Sequence, residues 1–86
     1  MKIKREFVLR EIAGDILLVP TGKTALDLNG MLTLNGVGAD IWKMLPEVEN
    51  EDEIVRRLLE EYDADPKQVK HDVGEFLNKF RELGIL

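Results

Sequence analysis

Cysteine and serine are both absent from this 86-residue sequence. Without cysteine the chain can form no disulfide, iron–sulfur cluster or thiolate zinc site, and it has no cysteine nucleophile. Without serine it has no serine nucleophile and no attachment point for the prosthetic arm of an acyl carrier protein. The single histidine, His71, has no second histidine or cysteine with which to complete a zinc site. We therefore expect no metal and no cofactor, and a chain without cysteine fits a cytoplasmic location.

Long apolar segments are also missing. The longest run of bulky apolar residues, 16–19, stops at Pro20, whereas a membrane-spanning helix needs about 20 such residues. The charged residues 1–6 lack the apolar segment of a signal peptide. We predict that the protein does not associate with a membrane.

The short length limits the architecture to a single domain, residues 1–86. A domain of this size buries only about 60% of the surface that its unfolded chain exposes. One thin core is therefore expected, and a deep enclosed active site is not.

Apolar alternation and short apolar runs predict three strands before residue 35. These strands are residues 7–12, 16–19 and 31–34. Gly14 and Asp15 mark a turn between the first two. After the second strand, residues 21–24 are expected to form a loop, and residues 26–28 continue the alternation up to an Asn-Gly turn pair.

Capping residues and apolar spacing predict three helices in the rest of the chain, at residues 36–45, 51–62 and 66–83. Asn35, Asn50 and Asp65 are favoured N-caps. Pro66 suits the first position of the third helix, and Gly84 is typical of a helix end. The third helix carries one apolar stripe, which consists of Val69, Val73, Phe76, Leu77, Phe80 and Leu83.

Strands followed by helices indicate an α+β fold with a winged-helix-like arrangement, in which a three-stranded antiparallel N-terminal sheet is followed by three helices. Such a fold raises DNA binding as one hypothesis. The net charge of −5 opposes it, and the predicted second helix carries five acidic residues against Arg56 and Arg57. Because proteins that bind DNA usually present a basic face, we expect no nucleic-acid partner.

Motifs that would support catalysis are weak. Gly22-Lys23-Thr24 is similar to the end of a phosphate-binding loop, but that motif needs a glycine where Leu17 stands. Asp72 and Glu75 could in principle do acid–base work, yet such pairs are common on exposed helix surfaces. We therefore predict no catalytic residue and no enzymatic activity.

The third predicted strand offers a different kind of site. Residues 31–34 contain no proline and no charge that would protect a sheet edge. If the third helix lies beside this edge, the two elements form a cleft with backbone hydrogen-bonding groups on one wall and aromatic side chains on the other. Such a cleft suits the addition of a foreign peptide as an extra strand. The same edge leaves a homodimer open.

An ordered set of short motifs resembles the PqqD-like family, small proteins related to pyrroloquinoline quinone biosynthesis protein D. Residues 30–35, Gly-Met-Leu-Thr-Leu-Asn, followed by Ile41-Trp42 and Leu45, are similar to its strand-to-helix signature. The further matches are Glu53-Ile54, Glu61-Tyr62-Asp63, Asp65-Pro66, Asp72-Val73, Phe76-Leu77 and Leu83-Gly84-Ile85-Leu86. The resemblance extends from about Phe7 to the last residue.

This resemblance implies a non-catalytic recognition element for ribosomally synthesised peptide natural products. The leader of a precursor peptide would add as a strand beside the third helix, and the domain would present it to a modifying enzyme, such as a radical SAM maturase or a leader peptidase. The implied peptide-binding residues are Leu28, Met31, Leu32, Thr33, Leu34, Val69, Asp72, Val73, Phe76, Lys79 and Phe80. A DNA-binding winged helix and a purely structural subunit remain the alternatives.

Overall fold

The computed structural model of the protein describes residues 1–27 and 30–86. Its strands there are β1 (Phe7–Ile12), β2 (Asp15–Pro20) and β3 (Leu32–Leu34). Its helices are α1 (Gly22–Asp27), α2 (Gly36–Met44), α3 (Glu51–Glu61) and α4 (Pro66–Glu82), and a 3-10 turn, Leu45–Glu47, follows α2. The predicted α+β fold is confirmed. Every helix in the described ranges is too short or too polar to span a bilayer.

The strands form an antiparallel sheet in the order β1-β2-β3. Leu18 of β2 lies opposite Leu9 on one side and opposite Leu32 on the other. Because directly opposed residues share a face of the sheet, these three leucines point to the same side. Leu18 is fully buried, and Leu9 and Leu32 pack against the core around it. This face of the sheet is therefore the one that the helices cover.

An aromatic cluster joins the sheet to the helical layer. The ring of Trp42 in α2 stands edge-on to Phe7 of β1 and to Phe80 of α4, with centroids 5.9 and 5.7 Å apart. Phe80 is only 2% exposed, and Val73 and Leu77 of the same helix are fully buried. Burial of such side chains stabilises the fold by roughly 1.5–3 kcal/mol each. The buried face of α4 therefore packs at the centre of the core.

The starts of the long helices follow the predicted caps. The side-chain oxygen of Asn35 accepts from the N–H of Gly38 at 2.7 Å, and that of Asn50 accepts from Glu53 at 3.0 Å. Asp65 accepts from the N–H of Lys67 at 3.1 Å. Each bond satisfies a backbone donor that the first helical turn leaves without a partner. The three predicted N-caps are confirmed.

The segment between β2 and β3 differs from the sequence prediction. The loop predicted at residues 21–24, and the alternation that follows it, are wrong because Gly22–Asp27 forms the helix α1. Gly22 has φ of +55°, which turns the chain after β2. Thr24 is buried, and its hydroxyl oxygen accepts from the N–H of Glu6 at 2.7 Å. A contact with a segment distant in the sequence therefore holds this helix, which local pattern could not indicate.

Two further predictions near β3 have different outcomes. The third strand begins at Leu32 rather than at Met31, and Met31 is exposed. The end of the predicted alternation, with the site residue Leu28, lies outside the described residues.

The turn between β1 and β2 yields a stability prediction. Ala13 and Gly14 both have positive φ, +52° and +87°, as in the type I′ turns that prefer Asn-Gly. Asparagine tolerates this conformation better than alanine, so we expect Ala13→Asn to raise the free energy of unfolding by about 0.5–1 kcal/mol. Urea unfolding followed by Trp42 fluorescence measures the change. Ala13→Val, with a β-branched side chain, should lower the free energy of unfolding. Equal unfolding midpoints for the two variants would contradict this account.

Candidate functional site

One side of β3 is open. In the described part of the chain β2 is its only strand partner, and it pairs with β3 through three residues. Leu32 and Leu34 are half-buried on the core side of the sheet, whereas Thr33 is exposed on the opposite face. The backbone groups along the outer side of β3 are therefore available to another strand.

A groove lies between this open edge and α4. Its walls are Leu32, Thr33, Leu34 and Asn35 on one side and Phe76, Lys79 and Phe80 on the other. Its volume is about 150 Å³. Backbone hydrogen-bonding groups therefore face aromatic side chains across it, between the two elements where the sequence predicted a cleft.

The groove continues toward the N-terminus of α4. A second depression shares Phe76 and Lys79 with the first and reaches Asp72. A third shares Val37 and Asp72 with the second, and it ends at the α3–α4 connection. Its apolar lining includes Leu58, Tyr62, Val69 and Val73. We call these three adjoining depressions the α4 groove.

Phe76 occupies the centre of the α4 groove. It lines the first two depressions, and its ring lies 4.4 Å from that of Phe80, centroid to centroid. A β-carbon placed on Gly38 of α2 would lie 3.1 Å from Cε2 of Phe76 and 3.5 Å from Cβ of Leu34. Gly38 therefore makes room where α2, β3 and α4 meet. Nothing in the sequence pattern indicated that Phe76 is the aromatic neighbour of this helix start.

The residues that the resemblance implied lie at different depths. The first depression contains Leu32, Thr33, Leu34, Phe76, Lys79 and Phe80, and the third contains Val69, Asp72 and Val73. Val73 and Phe80 are at most 2% exposed, so their side chains belong mainly to the core. Met31 precedes β3 and does not line these depressions in the described residues.

Sequence reasoning missed the wall formed by α2. Asn35, Val37 and Gly38 line the groove opposite α4. The Asn-Gly-Val-Gly segment that supplies them is typical, in sequence terms, of a cap and a helix start alone. Val37, an apolar residue between two glycines, could have indicated this wall, because it does not belong to the buried stripe of α2.

The rim of the α4 groove is charged. Asp72, Glu75 and Lys79 are exposed on α4. Asp72 accepts a hydrogen bond from the Gln68 amide at 2.9 Å, and Glu75 lies 3.2 Å from Nε2 of His71. His71, Asp72 and Glu75 also bring potential metal-ligand atoms within 4.8 Å of one another. They lie on one exposed helix surface, which leaves the rest of a coordination sphere to water.

The far end of the groove is held by a hydrogen bond between two helices. The Tyr62 hydroxyl, just after α3, donates to Oδ2 of Asp40 in α2. This bond to a carboxylate, together with partial desolvation and nearby negative charge, raises the pKa of Tyr62 to about 12. The tyrosine that lines the third depression is therefore fixed in place and neutral at physiological pH.

Two glycines provide a matched test of the packing at Phe76. A β-carbon on Gly74 in α4 would meet nothing within 4 Å, so Gly74→Ala should stabilise the protein by about 0.5–1 kcal/mol through helix propensity. Gly38→Ala lies in the first turn of α2, and its β-carbon would crowd both the Phe76 ring and the capping oxygen of Asn35. We expect it to be less stable than Gly74→Ala, and to shift the Phe76 ring resonances in NMR spectra. Equal gains in the free energy of unfolding for the two variants, with unchanged Phe76 ring resonances, would contradict the close packing of Gly38 against Phe76.

The Tyr62 hydrogen bond predicts a spectroscopic titration. Tyr62 is the one tyrosine of the sequence, so absorbance at tyrosinate wavelengths reports on it alone. We expect ionisation at a pKa of about 12 in the folded protein, and Asp40→Asn should lower this value toward 10. Because the folded pKa is raised, the bond stabilises the fold below pH 10 and loses its effect as the pH rises toward 12. Identical midpoints for folded wild type and variant, with folding checked by circular dichroism, would contradict this assignment.

Comparison with known proteins agrees with this geometry. The family model described as coenzyme PQQ synthesis protein D (PqqD) matches residues 16–86. The solved structure entitled "TbiB1 in Complex with the TbiA(beta) Leader Peptide" superimposes with a TM-score of 0.73 and 28% sequence identity. That similarity covers 100% of this chain and 94% of the other. No curated protein sequence matches. The match over most of the chain shows that this protein belongs to the PqqD family.

Proposed function

We propose that this protein is a non-catalytic adaptor that binds the leader peptide of a ribosomally synthesised precursor and presents it to a modifying enzyme. The observation that carries the proposal is the open edge of β3 beside the α4 groove. Membership of the PqqD family supports it, and so does the similarity to TbiB1, whose solved structure is a complex with a leader peptide.

The leader would bind as an additional strand on β3. Residues Leu32–Leu34 carry no charge or proline that would repel another strand. Three paired residues offer roughly three backbone hydrogen bonds, each stabilising by about 1 kcal/mol net. A dissociation constant of 1 μM corresponds to a favourable binding free energy of about 8 kcal/mol. Side chains of the leader must therefore supply most of the affinity by entering the groove, where a buried large apolar side chain contributes about 1.5–3 kcal/mol.

The geometry of the α4 groove suits an extended peptide. From Phe80 to Gln68 it follows α4 for about 18 Å, a length that about five or six residues of an extended strand would span. The groove is open rather than enclosed, and its ionisable side chains are exposed. These features favour binding without chemistry on the peptide. We assign the chemistry to a partner, such as a radical SAM maturase or a leader peptidase.

Amide hydrogen exchange tests strand addition. We would select binders from a displayed library of random peptides of about 12 residues and add one synthetic binder to the isotope-labelled protein. Along β3, amides that face β2 are protected already, whereas those that face the open edge exchange quickly. We expect the fast-exchanging amides within residues 32–34 to become protected. Binding that moves Phe76 resonances without protecting these amides would contradict strand addition.

Three variants of α4 test the groove, and one of them is the control. Phe76→Ala should weaken binding of the same peptide by about tenfold or more, because it removes the aromatic centre of the groove. Lys70→Ala, exposed on another face of α4, should leave binding unchanged. Since Phe76 also packs on the core, Phe76→Leu serves as the variant that retains the fold, and it should weaken binding by a smaller factor. Unchanged affinity in both Phe76 variants would overturn the proposed site.

A further inference from the structure

The charges along the α4 groove are ordered. Among the described residues that line the first depression, next to β3, Lys79 is the charged one. The third depression, at the other end, is lined by the carboxylates of Asp63, Asp65 and Asp72. The second depression joins the two and adds Glu75. A ligand that lies along the groove therefore meets positive charge beside β3 and negative charge beyond the end of β3.

The charges on the middle of the groove remain available to a ligand. In residues 1–27 and 30–86, Lys79 forms no ion pair. Asp72 bonds only to the neutral Gln68 amide among the described side chains, and the partner of Glu75 is His71. All three groups are exposed, so a bound peptide can reach them without displacing the core.

The direction of β3 determines which end of a peptide meets which charge. β3 runs from Leu32 toward Asn35, and the groove passes from Lys79 toward Asp72 in the same direction. Each pair of strands in this sheet is antiparallel. A peptide that continues the antiparallel pattern runs the opposite way, so its N-terminal part lies beside the carboxylates and its C-terminal part lies beside Lys79.

The spacing of these groups limits the sequence that fits. Glu75 and Lys79 are about 6 Å apart along the helix axis, and Asp72 and Lys79 are about 10 Å apart. Side chains on one face of a strand recur every second residue, so same-face residues are about 7 Å or about 13 Å apart. Residues two or four positions apart in the peptide match these separations, given the length of lysine, arginine and glutamate side chains.

We propose that the α4 groove selects peptides in which a basic residue precedes an acidic residue by two or four positions. This inference rests on the proposed function, since it assumes an antiparallel strand on β3. The basic side chain lies at Asp72 and Glu75, and the acidic side chain lies at Lys79. Exposed ion pairs are weak, so each pair should change affinity by about twofold to fivefold.

The displayed library described above provides the test. We expect peptides selected on the wild-type protein to be enriched in the basic-before-acidic order. Selection on the triple variant Asp72→Lys, Glu75→Lys, Lys79→Glu should enrich the reversed order. Enrichment of the same order on both proteins, or of neither order on the wild type, would overturn the inference. Circular dichroism and the unfolding midpoint establish that the triple variant is folded.

A second measurement needs no protein variant. A selected binder is compared with the same peptide whose basic and acidic residues have been exchanged. We expect the exchange to weaken binding by about fourfold or more at low salt, and the difference to shrink as the salt concentration rises. Equal affinity of the two peptides would overturn the inference even if both peptides protect the β3 amides, in which case the proposed function stands. If no selected peptide protects those amides, the strand addition in the proposed function is wrong.

Discussion

The candidate site depends on a three-residue strand that is bonded on one side only. β2 sets its register, and the leucines at its ends, Leu32 and Leu34, anchor it to the core. α2 begins at Gly36, directly after the capping Asn35, so β3 cannot lengthen in that direction. An edge this short is a poor template for unspecific pairing, because it offers few hydrogen bonds. Discrimination between peptides therefore falls to the side chains across the groove.

Those side chains belong to a helix that serves two surfaces. At about 100° per residue, Phe76 lies about 60° around α4 from the buried Val73, on the side that leads to Asp72 and Lys79. Around α4, the side chains therefore change from core to groove to solvent within about a third of a helical turn. Phe76 can stay there because Gly38 leaves space for its ring on the opposite helix. Loss of either residue would alter the core and the groove together, which couples stability to binding in so small a domain.

The sequence predicted what local chemistry determines. The three N-caps followed from residues that bond to backbone groups two or three positions away, and the strands followed from apolar alternation. The helix α1 could not be predicted, because it depends on the positive φ of Gly22 and on a hydrogen bond from Glu6 to the buried Thr24. Both depend on where a distant segment lies.

The elements of the candidate site could be predicted from the sequence, but the contacts between them could not. A bare third strand and an apolar stripe on the last helix could be identified, and the structure places them side by side. The sequence could not say that Val73 and Phe80 point inward while Phe76 borders the groove, because all three share one stripe. Nor could it reveal the wall formed by Val37 and Gly38, since the packing of α2 against α4 involves residues more than thirty positions apart.

Affinity and selectivity have different sources in this arrangement. A side chain that enters the groove beside Phe76 contributes about 1.5–3 kcal/mol, whereas an exposed ion pair with Asp72 or Lys79 contributes about 0.2–1 kcal/mol. In the proposed complex the apolar contacts and the β3 backbone therefore supply most of the affinity, antiparallel pairing with β3 sets the direction of the peptide, and the charges discriminate between peptide sequences. The carboxylates of the groove would, in the proposed complex, favour a peptide with a basic N-terminal part, while the net charge of −5 opposes a nucleic-acid backbone. In the proposed complex, charge would therefore contribute a small part of the affinity and act mainly through the difference in affinity between peptides.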